Sequence, residues 1–215
     1  MQMQMQMQTL KDYYRTTVDT NDSMQGDWAA QYYGVLSKVI NDNNFKIVAE
    51  IGIGYGTHAK HVLKNTTVDK LYLIDPTCYY PNDAFASDIM SRTPEITGNN
   101  FNELYNLINN ELYPWKDKYT WFRVKSLDVT TEQIADGSLD CAFIDGDHSY
   151  GAVIKDLPFW WNKIRPGGKI LGDDYWMDDV AKAVSEFSND IKITPELLTT
   201  ERNDYKIYSF TKPAN

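Results

Sequence analysis

Two pairs of aspartates in the second half of the chain have the residue type and spacing for metal or proton chemistry. Each pair follows a short apolar segment, residues 139–144 and 169–171, and the members are Asp145, Asp147, Asp173 and Asp174. Two carboxylates about 4 Å apart repel each other by roughly 4 kcal/mol at an effective dielectric near 20. The repulsion is relieved either by protonation or by a divalent cation with oxygen ligands, for which magnesium is the first choice.

A second pattern lies where an apolar segment runs into three alternating glycines. Glu50 precedes Gly52, Gly54 and Gly56. Alternating glycines allow the backbone to turn sharply and approach a ligand closely, and a following helix presents free amide groups. Asp75 ends the next apolar segment, where a carboxylate can accept both hydroxyls of a ribose. The pattern favours a nucleotide-type cofactor; the alternatives are an ordinary glycine turn and a turn that starts at Asp75.

Strand-like and helix-like segments that alternate along the chain must position these residues. We predict strands at 46–51, 70–74, 120–125, 139–144, 169–171, 191–199 and 205–211, and helices at 26–42, after the glycines to 65, at 101–113, 150–164 and 179–189. Such alternation predicts an α/β fold with a parallel sheet covered on both faces. The last two strands have no helix between them and should form an antiparallel hairpin. Ligands of such a sheet gather beyond the C-terminal ends of its strands.

The chain is predicted to form one domain. Residues 10–215 comprise a helical cap over 10–44 and a core over 45–211. Residues 1–9, in which Met and Gln alternate from Met1 to Gln8, are expected to be a disordered tail rather than an edge strand. Residues 76–100 are polar and rich in Pro and Asn, and a loop of that length is usually functional or mobile.

Composition excludes several classes of protein. The 21 Lys and Arg against 30 Asp and Glu give a net charge of −9 with no basic run, which argues against a nucleic-acid binder. No apolar window of about 18 residues predicts a membrane span, and the N-terminus lacks the features of a secretory signal. Cys78 and Cys141 do not form a disulfide framework, so a cytoplasmic location is expected. Either a monomer or a homodimer is compatible with these properties.

The quoted motifs resemble a known family. The string VAEIGIGYG at 48–56, together with Asp75, is similar to the cofactor motifs of class I S-adenosylmethionine-dependent methyltransferases. The strings FIDGDHSY at 143–150, RPGG at 165–168 and GDDY at 172–175 resemble the small-molecule O-methyltransferase branch, which includes the metal-dependent sugar methyltransferases of the macrocin O-methyltransferase type. The resemblance covers about residues 45–211 and implies a Rossmann-like three-layer sandwich with a mostly parallel seven-stranded sheet.

The resemblance also implies roles for individual residues at the cofactor end. The glycines border the methionine part of S-adenosylmethionine with Glu50 beneath it, Asp75 takes the ribose, and either Ser126 or Asp128 touches the adenine edge. The alternative for Asp128 is a helix N-cap. The implied cofactor-binding set is Glu50, Gly52, Gly54, Gly56, Asp75, Ser126, Asp128 and Asp145.

At the chemical end, the resemblance implies that Asp145, Asp173 and Asp174 hold a magnesium ion. Coordination would lower the pKa of an acceptor hydroxyl while a neighbouring base removes its proton. Asp147 is the first candidate for that base and His148 the second, because the ordinary pKa of histidine near 6.5 suits proton transfer. Alternatively, Asp173 and Asp174 form a turn before the last helix, and His148 is a polar residue that opens a helix.

The leading hypothesis is therefore O-methylation of a small hydroxylated molecule, such as a sugar or a polyhydroxylated metabolite. Aromatic residues could form the acceptor pocket, namely Tyr13, Tyr14, Trp28, Tyr79, Tyr80, Phe85 and Trp176. At least one of Trp160 and Trp161 should pack on the sheet, and His58 and His61 are expected to face solvent. The alternatives are an NAD-dependent oxidoreductase and a non-catalytic cofactor-binding module.

Overall fold

A computed structural model describes residues 9–14, 26–78, 101–199 and 206–214. Its helices are α1 (Leu10–Tyr13), α2 (Gly26–Asn43), α3 (Thr57–Asn65), α4 (Phe101–Leu112), α5 (Tyr150–Lys163) and α6 (Asp178–Ile191). Its strands are β1 (Ile47–Ile51), β2 (Lys70–Ile74), β3 (Tyr119–Phe122), β4 (Leu139–Ile144), β5 (Ile164–Gly172), β6 (Glu196–Thr199) and β7 (Lys206–Thr211).

The seven strands form one sheet in the order β3-β2-β1-β4-β5-β7-β6. The first five in this order pair in parallel, and β7 lies antiparallel between β5 and β6. The predicted mostly parallel sheet and C-terminal hairpin are thereby confirmed. The strand order runs outward in both directions from the β1–β4 pair, which is the switch point where open α/β sheets bind ligands.

Helices cover both faces of the sheet because the central strands are apolar on both sides. On one face, side chains of α2, α3 and α4 such as Leu36, Val62 and Ile108 pack against Val48 and other inward-facing strand residues. On the opposite face, α5 and α6 pack against Ala49 and its neighbours. Consecutive residues of β1 therefore belong to different cores, and the result is a three-layer sandwich.

Strand β5 is longer than predicted. The sequence Pro166-Gly167-Gly168, which precedes the predicted strand 169–171 and is typical of a turn, lies within β5, and the pairing with β4 shifts register there. The Gly167 N–H donates to the carbonyl of Lys212 at 2.9 Å, and the Lys212 N–H donates to the carbonyl of Gly168 at 2.8 Å. The segment extends the β5–β7 ladder because of these long-range hydrogen bonds, which local turn propensity does not reveal.

Trp160 is fully buried, which confirms that at least one of the two neighbouring tryptophans packs in the core, and β3 ends at Phe122 rather than at residue 125. Within the described ranges, no helix is both long and apolar enough to cross a membrane. The Met/Gln segment and the proposed pocket residues Tyr79, Tyr80 and Phe85 lie outside the described residues, as do the side chains of Tyr13 and Trp28.

Candidate active site

The glycine segment after β1 lies directly against the residue that follows β4. The Gly52 N–H donates to the carbonyl of Ile74 at 2.9 Å, and Gly52 has a φ of +81°. An ideal β-carbon on Gly52 would lie 1.9 Å from the carbonyl oxygen of Asp145. Only glycine fits a position with both constraints. This contact joins the predicted cofactor loop to the first aspartate of the acidic group.

The other two glycines shape the start of α3. Gly54 and Gly56 have φ values of +48° and +73°, which glycine adopts readily. A β-carbon on Gly54 would meet no atom within 4 Å, whereas one on Gly56 would lie 2.6 Å from Ile108 Cγ2. Gly56 is the N-cap residue of α3, so the free amide groups of the first turn lie beside the loop.

Asp75 has the turn-starting role considered as its alternative and a second role that was not predicted. Its carboxylate accepts hydrogen bonds from the N–H of Ile53 at 3.0 Å and from the N–H of Thr77 at 2.6 Å. It therefore starts a turn and also holds the glycine loop. Burial raises the pKa of Asp75, and hydrogen bonds from backbone N–H groups oppose that rise. The Gly54 N–H is a third backbone donor to this carboxylate. Most of its roughly four acceptor positions are therefore used within the loop and the turn, and its role toward a ribose stays a prediction.

Glu50 forms a buried pair with His58, and the expectation that His58 faces solvent is wrong. The two side chains are 1% and 4% exposed, with 3.2 Å between Glu50 Oε1 and His58 Nδ1. The His58 ring also lies 4.9 Å from that of Phe143, because the first turn of α3 packs on the sheet immediately after the glycine loop. His61, on the same helix, is half-buried.

Burial raises the pKa of Glu50; His58 opposes this rise, and the charges of Asp145 and Asp75 add to it. The second carboxylate oxygen, Oε2, is buried and has no hydrogen-bond partner among the described residues. A buried acceptor without a partner is costly unless something binds it. Its position at the end of β1, two residues before Gly52, fits a loop that holds a polar cofactor.

The acidic residues after β4 and β5 come together because these strands are adjacent. His148 Nε2 lies 3.0 Å from Asp174 Oδ2 and 3.4 Å from Asp145 Oδ1. One potential ligand atom from each of the three residues lies within 4.8 Å of the others. Asp173 does not belong to this close group, and its side chain is 6% exposed. The described geometry thus adds His148 to two of the three predicted ligands.

His148 offers a third way to relieve the repulsion between the carboxylates. Burial lowers its pKa, but hydrogen bonds and charges from Asp145 and Asp174 outweigh burial and raise the pKa to about 11. A protonated imidazole between two carboxylates supplies positive charge in place of a metal. The same donor set also fits a divalent cation: two carboxylates with an imidazole suit manganese, iron or zinc, whereas carboxylates alone suit magnesium.

Asp174 has an unusual backbone conformation. Its φ of +55° is uncommon for a residue other than glycine, and such positions cluster at functional sites. The Met177 N–H donates to its carbonyl at 2.9 Å, which forms the turn before α6 that was considered as an alternative. Trp176 donates its indole N–H to Asp174 Oδ1 at 2.9 Å, although 58% of the tryptophan is exposed. An aromatic surface therefore borders the acidic group.

Asp147, the first candidate base, is exposed. It accepts a hydrogen bond from the Ser149 N–H at 2.9 Å, immediately before α5 begins at Tyr150. Its other carboxylate oxygen is the group that could accept a proton. Its role as base remains a prediction.

The two candidates for the adenine edge differ in their surroundings. Ser126 donates its hydroxyl to Asp156 Oδ1 at 2.5 Å and accepts from the indole N–H of Trp160 at 2.8 Å. Asp128 is exposed and closes a short 3-10 turn through its N–H to the carbonyl of Lys125, so it does not cap an α-helix.

Sequence reasoning missed Asp156 and Tyr208. Asp156 lies three residues after Val153 and four before Trp160, so an aspartate on the apolar face of α5 was the available signal. Tyr208, on β7, is 1% exposed and lies against Gly172, where an added β-carbon would be 2.0 Å from the tyrosine oxygen. Burial and neighbouring aspartates raise the pKa of Tyr208. Its position follows from the antiparallel β5–β7 pairing, for which no local signal exists.

Comparisons with known proteins show the family of the chain. Residues 49–175 match a family model described as a methyltransferase domain. An uncharacterized protein of Acanthamoeba polyphaga mimivirus is 24% identical over 188 residues, which cover 83% of this chain and 76% of that protein. The family match does not favour the NAD-dependent or the non-catalytic alternative.

Two solved structures share the fold. The O-methyltransferase TomG from Streptomyces achromogenes, in complex with S-adenosylmethionine, has a TM-score of 0.57 at 11% identity, with 84% of this chain and 79% of that chain covered. An O-methyltransferase from Bacillus cereus, in complex with S-adenosylhomocysteine, has a TM-score of 0.56 at 16% identity, with coverage of 84% and 80%. These similarities confirm the predicted Rossmann-like architecture.

Proposed function

This chain belongs to the methyltransferase domain family and is an S-adenosylmethionine-dependent methyltransferase, and from that premise we propose that it methylates a hydroxyl oxygen of a small molecule with the help of a divalent cation. The observation that carries the proposal is the contact between Gly52 and Asp145. It brings the cofactor loop after β1 and the acidic group after β4 to one place at the switch point of the sheet.

The cofactor end is assigned to the residues that the structure brings around the glycine loop. Gly52 and Gly54 allow backbone to approach the ligand, and Asp75, which accepts from the Ile53 N–H, is assigned to the ribose. Buried Glu50, two residues before Gly52, has one carboxylate oxygen without a partner among the described residues. S-adenosylmethionine supplies an activated methyl group when it is bound. The carboxylates of Glu50 and Asp75 also favour a ligand that carries a positive sulfonium.

The acceptor end is assigned to the acidic group. Asp145 and Asp174 would hold a divalent cation together with His148 or Asp173, and the cation would supply Lewis acidity that lowers the pKa of an acceptor hydroxyl. The chain's own residues have to orient that hydroxyl, exclude water and receive its proton. Asp147 is assigned the proton because His148 is unavailable as a base in either case: without a cation two carboxylates hold it in its charged form, and as a ligand its nitrogen would be taken by the cation.

The acceptor class follows from the surface beside this group. Trp176 is 58% exposed and donates to Asp174, and Asp147, the residue before His148, is also exposed. A neutral or cationic molecule with several hydroxyls and one apolar face, such as a sugar, fits such an aromatic and acidic surface. An anionic acceptor would be repelled by it.

The test is methyl transfer from labelled S-adenosylmethionine to a panel of sugars and other polyhydroxylated compounds, with and without EDTA. We expect transfer that EDTA abolishes and that added divalent cation restores. Full activity in EDTA would exclude the metal, and no transfer to any hydroxylated acceptor would contradict the substrate class. If Asp147→Asn keeps near-normal turnover while His148→Gln does not, the assignment of the base is wrong.

A further inference from the structure

Ser126, Asp156 and Trp160 form a hydrogen-bonded chain that the proposed reaction does not use. Ser126 follows β3, whereas Asp156 and Trp160 lie one helical turn apart on α5. Asp156 is 5% exposed and Trp160 is fully buried. The distances are 2.5 Å from Ser126 Oγ to Asp156 Oδ1 and 2.8 Å from Trp160 Nε1 to Ser126 Oγ. A carboxylate is rarely buried to this extent without a specific partner.

The two hydrogen bonds of Ser126 determine the direction in which its hydroxyl proton points. An indole N–H only donates, and an ionised carboxylate only accepts. The single hydroxyl proton of Ser126 is therefore directed to Asp156, and one of its two lone pairs is taken by Trp160. The remaining lone pair can accept one further hydrogen bond, so Ser126 can recognise a donor but not an acceptor.

Ser126 follows the C-terminal end of β3, which lies at the same edge of the sheet as the C-terminal ends of β1 and β2. The end of β3 is tied to Asp75, because the Asp75 N–H donates to the Phe122 carbonyl at 3.3 Å and the Trp121 indole donates to the Asp75 carbonyl at 3.1 Å. Ser126 follows Phe122 by four residues. The hydrogen bond from Ser126 to Asp156 thus connects the segment after β3, whose end is bonded to Asp75, with helix α5, which follows the acidic group.

We propose that Asp156 is a positioning residue which, with Trp160, presents the Ser126 hydroxyl as an acceptor for the 6-amino group of the cofactor's adenine. This inference rests on the proposed function. The arrangement selects 6-aminopurine over 6-oxopurine nucleosides, because an oxygen at position 6 would face the lone pair of Ser126. A site built for a hydrogen bond rejects an analogue that cannot make it more strongly than an apolar pocket does.

The ionisation of Asp156 maintains this direction near neutral pH. Burial raises its pKa to about 6, the hydrogen bond from Ser126 opposes that rise, and the charge of Asp147 adds to it. Burial raises the pKa of Tyr208 on β7, and the charge of Asp156 adds to that rise. Below this pH the carboxyl group gains a proton that it can donate to Ser126, and the serine proton is released toward the ligand.

The experiment is calorimetric titration of the full chain with S-adenosylhomocysteine and with its 6-oxo analogue, S-inosylhomocysteine. At about pH 7.5 we expect the wild type to prefer the adenine compound about tenfold or more, which corresponds to one hydrogen bond gained and one repulsion avoided. Ser126→Ala and Asp156→Ala should reduce the preference to about threefold or less. Ser126→Thr keeps the hydroxyl and should retain the preference.

A measurement on the unmodified chain covers the case in which Asp156→Ala fails to fold. The preference of the wild type should fall several-fold between about pH 7.5 and pH 5.5 as Asp156 gains its proton. An unchanged preference in both Ser126→Ala and the acidic titration would overturn the inference. If Asp128→Asn loses the preference and Ser126→Ala keeps it, Asp128 recognises the adenine, and the inference is overturned. No binding of S-adenosylhomocysteine by any form would instead refute the proposed function.

Discussion

The carbonyl oxygen of Asp145 lies 1.9 Å from the point where a β-carbon on Gly52 would stand. The Asp145 N–H also donates to the carbonyl of Ile51 at 2.8 Å, so the ends of β1 and β4 are in direct contact. The cofactor loop and the acidic group therefore cannot move independently, and a change in one must alter the other.

Gly52→Ala should test this contact. The added carbon meets backbone rather than a flexible side chain, and the φ of +81° is unfavourable for alanine, so we expect a loss of about 2–5 kcal/mol in the free energy of unfolding. Cofactor affinity should fall at least about tenfold. Urea unfolding and calorimetry measure the two effects. Gly151→Ala on α5 is the matched control, because its β-carbon meets no atom within 4 Å and its φ is not positive. Equal behaviour of the two variants would contradict the contact.

His58→Phe should destabilise the chain in a pH-dependent way. The substitution leaves the buried carboxylate of Glu50 without its partner, which costs about 3–5 kcal/mol when the carboxylate is ionised. The pKa of Glu50 is already raised, so the folded state binds its proton more readily than the unfolded state, and stability declines as pH rises through the folded pKa. The loss should thus be larger near pH 8 than near pH 5, as measured by urea unfolding at about these two values.

The control for this variant is His61→Phe, three residues along the same helix and half-buried. Its effect on the free energy of unfolding should be smaller and should show little of the pH dependence. A loss in His58→Phe that is equal at both pH values would mean that Glu50 does not respond to its partner.

Asp156→Asn should stabilise the chain at neutral pH and above. The folded pKa of Asp156 is about 6 against an ordinary value of 3.8, so the folded state binds the proton more tightly and wild-type stability declines as pH rises across this interval. At about 1.36 kcal/mol per pKa unit, removal of the charge should raise the free energy of unfolding by up to about 3 kcal/mol near pH 8 and by little near pH 4. Thermal or urea unfolding at these values measures it. A variant less stable than the wild type near pH 8 would contradict the cost of burying this charge.

Variants of the acidic group should distinguish two possible ligand sets for a divalent cation. Asp145→Asn and Asp174→Asn should each weaken cation binding by about tenfold or more, because both residues belong to either set. If His148→Gln has the same effect and Asp173→Asn does not, the close group in the structure holds the cation; the reverse result supports the three aspartates.

Titration of each protein with manganese and magnesium chloride by calorimetry measures the affinity. Asp178→Asn, an exposed aspartate in the first turn of α6, is the control and should bind as the wild type does. Unchanged binding in both Asp145→Asn and Asp174→Asn would exclude a cation at this position.

Much of the fold could be predicted because its signals are local. The observed bounds of β2 and β4 equal the predicted ones, since each is a short apolar run that ends at an aspartate. Gly52 and Asp75 could be placed at strand ends for the same reason, because each directly follows an apolar run. In contrast, the full length of β5 depends on hydrogen bonds to Lys212, which are formed with a distant part of the chain.

The site was less predictable for the same physical reason. His58 lies on a helix of nine residues, in which two histidines three apart do not indicate which face is buried. The role of His148 depends on the distance to Asp174, and that of Ser126 on Asp156, each across two elements. Such distances arise from packing rather than from spacing in the sequence.

The most direct test of the account is calorimetric titration of the full chain with S-adenosylmethionine and, in parallel, with NAD. We predict saturable binding of one S-adenosylmethionine per chain, weakened at least about tenfold in Gly52→Ala, and no heat with NAD. No heat with S-adenosylmethionine, or binding of NAD alone, would contradict the central claim.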